Sequence, residues 1–287
     1  MNNRISKLRT YILDKRHHQY RRTPQELGIN DLCVRFEKEN ISSVTRASEC
    51  LSELLAKEEP VILEGERIVF TRTITEIPDI YTPAEWEAIK QNHYIHERGT
   101  VCNISPDYAY TIRHGLEARK QEIQDRLKDE SLTDTQKEFL NATYSCIISL
   151  QSFIERYANY ALSVGETEIA ETLSAIRTRG AQSFREALQL LRILHFSIWE
   201  SGNYHNTLGR FDQYMYPYYI QDIENSVLTK EEAFDLLEEF FLACNKDSDL
   251  YPGMQQGDNG QSLVLGGRSL SGEYLFNDLS RMCLQAS

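Results

Sequence analysis

The chain has 287 residues, of which 41% are hydrophobic and 26% are charged, and its formal net charge is −12. A chain of this length buries about 75% of its extended-state surface on folding, so a substantial core is expected. The acidic excess argues against general nucleic-acid binding, which needs a basic surface. No apolar run approaches the ~18–20 residues of a membrane span, and residues 1–22 lack the apolar stretch of a secretory signal. We therefore expect a soluble cytoplasmic protein that binds neither nucleic acid nor membranes.

Residues with metal-binding or redox chemistry are scattered. The six cysteines include no Cys-x-x-Cys pair, which argues against a zinc ribbon or a disulfide scaffold, and most are expected to be buried thiols. His93 and His96 lack a third ligand nearby at helical spacing, so no metal site is predicted. Asp235, Glu238 and Glu239 are predicted to form a solvated acidic helix face.

The first third of the chain is predicted to contain a basic N-terminal arm or helix, a longer helix and a hairpin. Residues 1–30 form the arm, and the pair His17 and His18 is expected on its solvated side. Apolar residues recur at helical spacing over residues 44–55, before a proline. Residues 61–63 and 68–70 flank a turn and predict two short strands.

The remaining elements are predicted mainly from capping patterns and hydrophobic periodicity. Residues 187–199 are apolar on nearly every face, which predicts a buried helix inside a large core. Residues 261–265 are the best strand candidate in the second half of the chain. Further helices are expected to begin near Thr82, Ser105, Thr133, Arg210, Thr229 and Asn277.

Two polar stretches, residues 96–108 and 203–210, stand beside predicted helices. Loops held by buried elements often carry binding groups, and a helix start can bind an anion. From residue types alone, these stretches are either parts of a binding pocket or ordinary surface loops.

Five segments together resemble the glycyl-radical enzymes of the pyruvate formate-lyase family. They are ISPDY (residues 104–108), SFREALQ (183–189), GRFDQYMYPYY (209–219), DNGQSLVLGG (258–267) and FNDLSRMCLQAS (276–287). GRFDQYMYPYY is long and specific, and the order and spacing of the other segments agree with it. The resemblance extends from about residue 33 to residue 287.

The resemblance implies an α/β fold, the glycyl-radical ten-stranded α/β barrel surrounded by helices. This chain is expected to be mostly α-helical and to form the helical shell plus the start of the first half-barrel. Residues 1–287 would then be a single incomplete domain. In the family, a radical-SAM activating enzyme installs a protein glycyl radical, and a cysteine thiyl radical reacts with a small organic substrate under anaerobic conditions.

The sequence departs from the family at the two radical loops. None of its six cysteines stands in a catalytic-loop context, and none of its fourteen glycines stands in an Arg-Val-x-Gly-Tyr type motif. We therefore expect no catalytic residue and no bound cofactor in this chain, which would be inactive alone. It would be a truncated product or one piece of a split enzyme with a second-half polypeptide.

The resemblance also implies a set of substrate-binding residues just before the two motifs PDY and GRFDQY. Carried over by position, they are Arg98, Cys102, Asn103, His205 and Thr207. Some relatives have histidine in place of Asn103, which counts against a diol dehydratase. Arg98 would suit a carboxylate or sulfonate through a paired hydrogen bond, although a surface salt bridge is an equal alternative.

The function predicted from the sequence is the N-terminal part of a glycyl-radical lyase, decarboxylase, dehydratase or formate acetyltransferase-like enzyme. Its expected partners are a small-molecule substrate, the activating enzyme and a second copy in a homodimer. The alternative is a non-catalytic helical module for dimerisation or partner binding.

Overall fold

The computed structural model describes residues 2–92, 104–203, 206–247 and 261–287. These residues form α-helices and short connecting segments, with a 3₁₀ helix at Arg16–Tyr20. The helices are α1 (Asn3–Leu13), α2 (Pro24–Leu27), α3 (Leu32–Lys38), α4 (Ser43–Lys57), α5 (Pro83–Gln91), α6 (Tyr108–Leu127), α7 (Asp134–Ser163), α8 (Thr167–Ile176), α9 (Phe184–Glu200), α10 (Phe211–Glu224), α11 (Lys230–Cys244) and α12 (Asp278–Ala286).

The helix starts confirm the capping patterns in the sequence. Thr82, Thr133 and Thr229 each accept a hydrogen bond from the third residue of the helix, whose side chain bonds back to the threonine main chain. Ser183 and Asn277 cap α9 and α12 in the predicted places. These starts need only local residues, which explains why they could be predicted.

Helix α9 lies at the centre of the core, where it packs against α4, α6, α8, α10 and α11. Its apolar side chains are buried on most of its circumference, as predicted, and Leu191 is fully buried. Leu194 and Ile198 are only half-buried. Leu194 lines an apolar groove of about 410 Å³ between α4, α6, α7 and α9, so one stripe of this helix reaches the molecular surface.

Helix α6, whose start near Ser105 was predicted, breaks at Gly115, where φ is 86° and ψ is 169°. The main chain at Gly115 lies so close to residues 179–180 that a Cβ on Gly115 would be 2.4 Å from the carbonyl carbon of Arg179. Ala181 donates a main-chain hydrogen bond to Ile112 at 2.8 Å across this contact. Only glycine combines the positive φ with the missing side chain that this approach requires.

Residues 58–75, which we name the closed segment, are buried but do not form the predicted hairpin. Glu66 closes a turn onto Leu63, and no ladder joins the two halves. Phe70 has φ of 90°, which interrupts the alternation of a strand, and its ring stacks on Tyr157 with centroids 4.5 Å apart. The hairpin prediction is wrong because tertiary packing holds this segment in an irregular path.

Side chains from helices replace the missing strand partners of the closed segment. The Tyr157 hydroxyl donates to the Val61 carbonyl at 2.8 Å and accepts from the amides of Val61 and Thr71 at 3.1 and 3.0 Å. Gln189 accepts from the Val69 amide at 2.8 Å, and Arg192 donates to the Phe70 carbonyl at 2.8 Å. Buried main-chain groups are thus satisfied without a sheet.

Glu239 corrects the prediction of a solvated acidic face on α11. Its side chain is only about 3% exposed, and it accepts from the amides of Arg67 and Ile68 and from the Arg4 guanidinium. The N-terminal helix α1 therefore packs on α11 rather than projecting into solvent. His17 is likewise buried, at 1% exposure, so the solvated interpretation of the histidine pair is wrong for this residue.

Residues 261–267, which we name the open segment, make one parallel bridge between Leu263 and Gly209 instead of a longer strand. The Leu208 amide donates to the Ser262 carbonyl at 2.7 Å, and the Val264 amide donates to the Gly209 carbonyl at 2.8 Å. Helix α12 follows and buries Leu279 and Met282.

Candidate functional site

The structure describes one of the five predicted substrate-binding residues. Arg98, Cys102, Asn103 and His205 lie outside the described residues, whereas Thr207 lies within them. The geometry of the predicted site is therefore given by Thr207 and by the chain segments around it.

Thr207 joins three segments of the chain. Its amide donates to the Ile104 carbonyl at 3.1 Å, and its hydroxyl donates to the Ser262 carbonyl at 2.9 Å. The same hydroxyl accepts from the Gly209 amide at 3.0 Å. The segment that ends the first polar stretch, the second polar stretch and the open segment thus meet at one threonine, a contact that we name the Thr207 junction.

The GRFDQY motif fixes the open segment beside this junction. Arg210 donates to the Gly266 carbonyl at 3.0 Å, and the buried Asp212 carboxylate accepts from the Gly266 amide at 2.7 Å and from the Ser280 hydroxyl. The Tyr214 hydroxyl donates to the Leu208 carbonyl at 2.7 Å. Four neighbouring residues of the motif therefore have structural bonding roles, since Gln213 also binds the Leu275 carbonyl.

The PDY motif has a comparable role at the other side of the junction. Asp107 caps α6 by accepting from the Tyr110 amide, and Tyr108 is buried in the core. Burial raises the pKa of the Tyr108 phenol, so this hydroxyl is neutral near pH 7. The motif thus anchors the chain directly after Ile104.

Two buried ion pairs lie where α9 and the end of α11 meet the closed segment. Arg192 binds both carboxylate oxygens of Asp247 while it also holds the Phe70 carbonyl. Lys246 binds Glu66 and donates to the Thr71 hydroxyl at 3.0 Å. All four charged side chains are almost inaccessible to solvent. Sequence reasoning missed them because the partners are 55 and 180 residues apart and leave no local pattern.

Three further buried groups have shifted pKa values. Burial raises the pKa of Glu58 to about 7, although hydrogen bonds from Thr73 and Ile74 act to lower it. Burial, the largest cause, and the nearby Glu58 carboxylate raise the pKa of Glu200 well above its usual range. Burial, the largest cause, and the positive charge of Arg192 lower the pKa of His195 to about 4. Because these side chains are at most 1% exposed, they form a polar interior rather than a solvent-facing acid–base pair.

The described residues offer neither a metal site nor an activated thiol. No group of three or more metal-ligating side chains is present in the described ranges. The described cysteines are free thiols, and burial raises the pKa of Cys50, Cys244 and Cys283 to about 12. These three thiols stay protonated near pH 7, which disfavours a nucleophilic role. Among the described helices, none is long and apolar enough to cross a membrane.

Curated relatives resemble this chain over part of their length. The 4-hydroxyphenylacetate decarboxylase glycyl radical subunit of Clostridioides difficile is 30% identical over 206 residues, which are 63% of this chain and 23% of the relative. The (2S)-3-sulfopropanediol dehydratase of Klebsiella oxytoca is 28% identical over 223 residues, which are 70% of this chain and 27% of the relative. The chain spans about a quarter of the length of these relatives.

Solved structures share the fold over the whole chain. The structure describing 1,2-propanediol dehydration in Roseburia inulinivorans superposes with a TM-score of 0.80 and 20% identity, covering 100% of this chain and 43% of its own. The glycerol dehydratase from Clostridium butyricum superposes with a TM-score of 0.78 and 20% identity, covering 100% of this chain and 45% of its own. The fold is thus the helical part of the glycyl-radical α/β barrel, as the resemblance implied.

The sequence match agrees with the fold and covers both the PDY and the GRFDQY motifs. Residues 76–287 match the family described as pyruvate formate lyase-like. The chain therefore belongs to the pyruvate formate lyase-like family of glycyl radical enzymes.

Proposed function

We propose that this chain is the N-terminal, substrate-side part of an anaerobic, cytoplasmic glycyl-radical enzyme. The reaction would be that of a lyase, decarboxylase, dehydratase or formate acetyltransferase-like enzyme on a small organic substrate. The family match and the similarity to a decarboxylase and to dehydratases support this proposal. The single observation that carries it is the Thr207 junction, which joins both motif-bearing segments to the open segment.

The substrate pocket in this proposal is built around the junction. Asn103 directly precedes Ile104, and His205 stands two residues before Thr207, so chain connectivity favours a common location. Arg98 would pair with an acidic group of the substrate, and Cys102, Asn103 and His205 would supply polar contacts. Thr207 already uses its hydroxyl for two hydrogen bonds, and its role would be to hold the pocket wall in position.

The radical loops are assigned to other polypeptide sequence. The cysteines and glycines of these 287 residues do not fit the catalytic-loop and Arg-Val-x-Gly-Tyr type contexts of the family. The thiols of Cys50, Cys244 and Cys283 are protonated interior groups, which also disfavours them as reacting groups. We therefore place no reaction step on this chain and propose that a complementing polypeptide carries the cysteine and glycine loops, with a radical-SAM activating enzyme as the second partner and a homodimer as the complete assembly.

The test compares the chain alone with the completed enzyme. The complementing polypeptide is the one encoded beyond codon 287 in the same frame, or by the reading frame of the same genome that carries both loops. After anaerobic treatment with the activating enzyme, we expect a glycyl doublet in electron paramagnetic resonance only when both polypeptides are present. Turnover is then measured on glycerol, 1,2-propanediol, 4-hydroxyphenylacetate and 3-sulfopropanediol.

A matched pair of variants tests the junction within that assay. Thr207→Val removes the hydroxyl that binds Ser262, and we expect turnover to fall about tenfold or more because misplacement of a site by ~1 Å is costly. Thr135→Val changes an exposed threonine in the first turn of α7 and should leave turnover unchanged. A glycyl doublet from the isolated chain would contradict its incompleteness. Completed enzyme without radical or turnover would favour the alternative, a non-catalytic helical module for dimerisation or partner binding.

A further inference from the structure

Glu200 is the last residue of α9, and it is only 1% exposed to solvent. Neither of its two carboxylate oxygens has a hydrogen-bond partner among the described residues. Most buried polar atoms in proteins are paired, and a charged carboxylate without a partner is costly to bury. Glu200 therefore differs from the other buried acids of this interior, Glu58, Glu66 and Asp247, each of which accepts hydrogen bonds.

Ionisable groups from several elements face Glu200. They are Glu58 and Arg72 in the closed segment, Asp247 after α11, Arg21 after the 3₁₀ helix, and the Cys50 thiol on α4. The two carboxylates oppose a negative charge on Glu200, and the two guanidinium groups favour it. Burial is the largest cause, and the balance raises the pKa of Glu200, so the folded chain favours the neutral acid. The carbonyls at the end of α9 act in the same direction, since they carry partial negative charge.

The last turn of α9 leads directly into the second polar stretch. The Gly202 amide donates to the Trp199 carbonyl at 3.0 Å, and the Asn203 amide donates to the Ile198 carbonyl at 3.2 Å. With Gly202 at φ of 79°, these two bonds form the Schellman motif, a common end of a helix. Asn203 therefore takes its position from the last turn of the helix.

Asn206 connects this helix end to the Thr207 junction. Its side-chain amide donates to the Asn203 carbonyl at 2.8 Å, and the residue is fully buried. The next residue, Thr207, donates its amide to the Ile104 carbonyl. A displacement of the last turn of α9 would thus be passed through Asn203 and Asn206 to the junction.

We propose that Glu200 is a positioning residue for the substrate pocket: as a neutral acid it keeps the last turn of α9 in the interior, and this turn fixes the segment that carries Thr207. Loss of the proton to water would leave an unpaired negative charge beside Glu58 and the end of α9, so the turn would open to solvent. This inference rests on the proposed function, because the pocket belongs to that proposal.

Hydrogen exchange of the full chain between pH 5 and pH 9 tests the dependence on this proton. The closed form holds the proton above the ordinary pKa of 4.5, and the open form releases it. The opening constant should therefore rise tenfold per pH unit from about 4.5 up to the folded pKa. Protection of the Gly202, Asn203 and Thr207 amides, corrected for the intrinsic exchange rate, should fall by the same factor.

Neutral variants separate this proton from the other titrating groups. Glu200→Gln has nearly the same shape and cannot ionise, so its protection divided by that of wild type should rise tenfold per pH unit at these three amides. Glu200→Met is a second neutral replacement and should show the same ratio if the glutamine disturbs the interior. Glu224→Gln is the matched control, because Glu224 is the last residue of α10 and is exposed, and it should follow wild type at every pH. The same pH dependence in wild type and in both neutral variants would overturn the proposal.

The pH profile of the completed enzyme tests the role in the pocket. The kcat/KM of wild type should fall as Glu200 ionises, whereas Glu200→Gln should match wild type at low pH and retain its value at higher pH. A merely structural role would lower kcat/KM of Glu200→Gln by the same factor at every pH, which would overturn the positioning role.

The outcomes also separate this inference from the proposed function. Protection that depends on pH in wild type but not in Glu200→Gln, in a completed enzyme without radical or turnover, would sustain the link between Glu200 and the Thr207 segment and reject the function. Turnover with the same pH profile in wild type and Glu200→Gln would sustain the function and reject the positioning role.

Discussion

The closed segment and the open segment were both predicted as strands, and the structure satisfies their main chains in different ways. In the closed segment, side chains from α7, α9 and α11 bind the buried amides and carbonyls. In the open segment, one parallel bridge satisfies one side and leaves Leu263 and Leu265 without partners among the described residues. A short apolar run in the sequence therefore does not show whether its main chain is fully hydrogen-bonded, because that depends on the side chains that surround it in the fold.

The largest expected effect comes from a buried charge that holds the closed segment. Arg192→Met leaves Asp247 unpaired in the interior and removes the bond to the Phe70 carbonyl, so the free energy of unfolding should fall by about 3–5 kcal/mol. Urea denaturation measures this change. Lys90→Met, which breaks the exposed pair with Glu87, should cost less than about 1 kcal/mol. Equal losses of unfolding free energy in the two variants would show that the buried Arg192–Asp247 pair does not stabilise the closed segment.

Two leucines of α9 test whether this helix, which contacts the closed segment, is buried around its whole circumference. Leu191→Ala should cost about 2–5 kcal/mol of unfolding free energy because Leu191 is fully buried. Leu194→Ala should cost less, about 1–2 kcal/mol, because Leu194 lines the surface groove. Thermal or urea unfolding checks both values. A larger loss of unfolding free energy for Leu194→Ala than for Leu191→Ala would contradict the described orientation of α9.

Tyr157→Phe removes a single hydroxyl from the closed segment. Three main-chain groups, on Val61 and Thr71, would lose their partner in a dry interior, so we expect a loss of about 2–3 kcal/mol. Tyr144→Phe is the control, because its hydroxyl accepts one bond from Gln124 at the surface, and it should cost less than about 0.5 kcal/mol. Indistinguishable unfolding curves for the two variants would reject the role of the Tyr157 hydroxyl.

The smallest expected effect is a pH dependence from His195 on α9. Its folded pKa of about 4 lies below the unfolded value of about 6.5, so the unfolded chain binds more protons between these pH values. Stability from this group is complete above about pH 6.5 and is lost as the pH falls, by up to about 1.4 kcal/mol per pH unit. Compared with wild type, His195→Gln should flatten this fall in urea unfolding between pH 7 and pH 5.

The comparison of variants is needed because Glu58 acts in the opposite direction. Its folded pKa of about 7 lies above the unfolded value, so its contribution is lost as the pH rises from about 4.5 to 7. A steeper fall toward pH 5 in His195→Gln than in wild type would contradict the neutral, buried imidazole.

The sequence predicted those parts of the fold that depend on neighbouring residues. Helix starts at Thr82, Thr133 and Thr229 follow from side chains three residues apart, and the apolar circumference of α9 predicts its burial. The break at Gly115 could not be predicted, because it arises from contact with residues 179–180. Glu239 was assigned to solvent because its partners at residues 67–68 are more than 170 positions away.

The candidate site was predictable only through the family resemblance. The residue types before PDY and GRFDQY allowed a pocket or ordinary loops, and the motifs themselves selected the first interpretation. The structure adds what the motifs could not indicate, namely that Arg210 and Asp212 hold the open segment and that Asp212 and Gln213 hold residues 275–280. Such roles depend on which distant carbonyls and amides come within reach.

Residue-resolved hydrogen exchange on the isolated chain tests the central contrast most directly. The amides of Val69 and Thr71 have side-chain partners in the interior, and we expect them to exchange only on global unfolding. The amides of Leu263 and Leu265 should exchange faster by orders of magnitude, with Val264 in between. Protection of Leu263 and Leu265 equal to that of Val69 and Thr71 would mean that the open segment is already closed, and the contrast would fail.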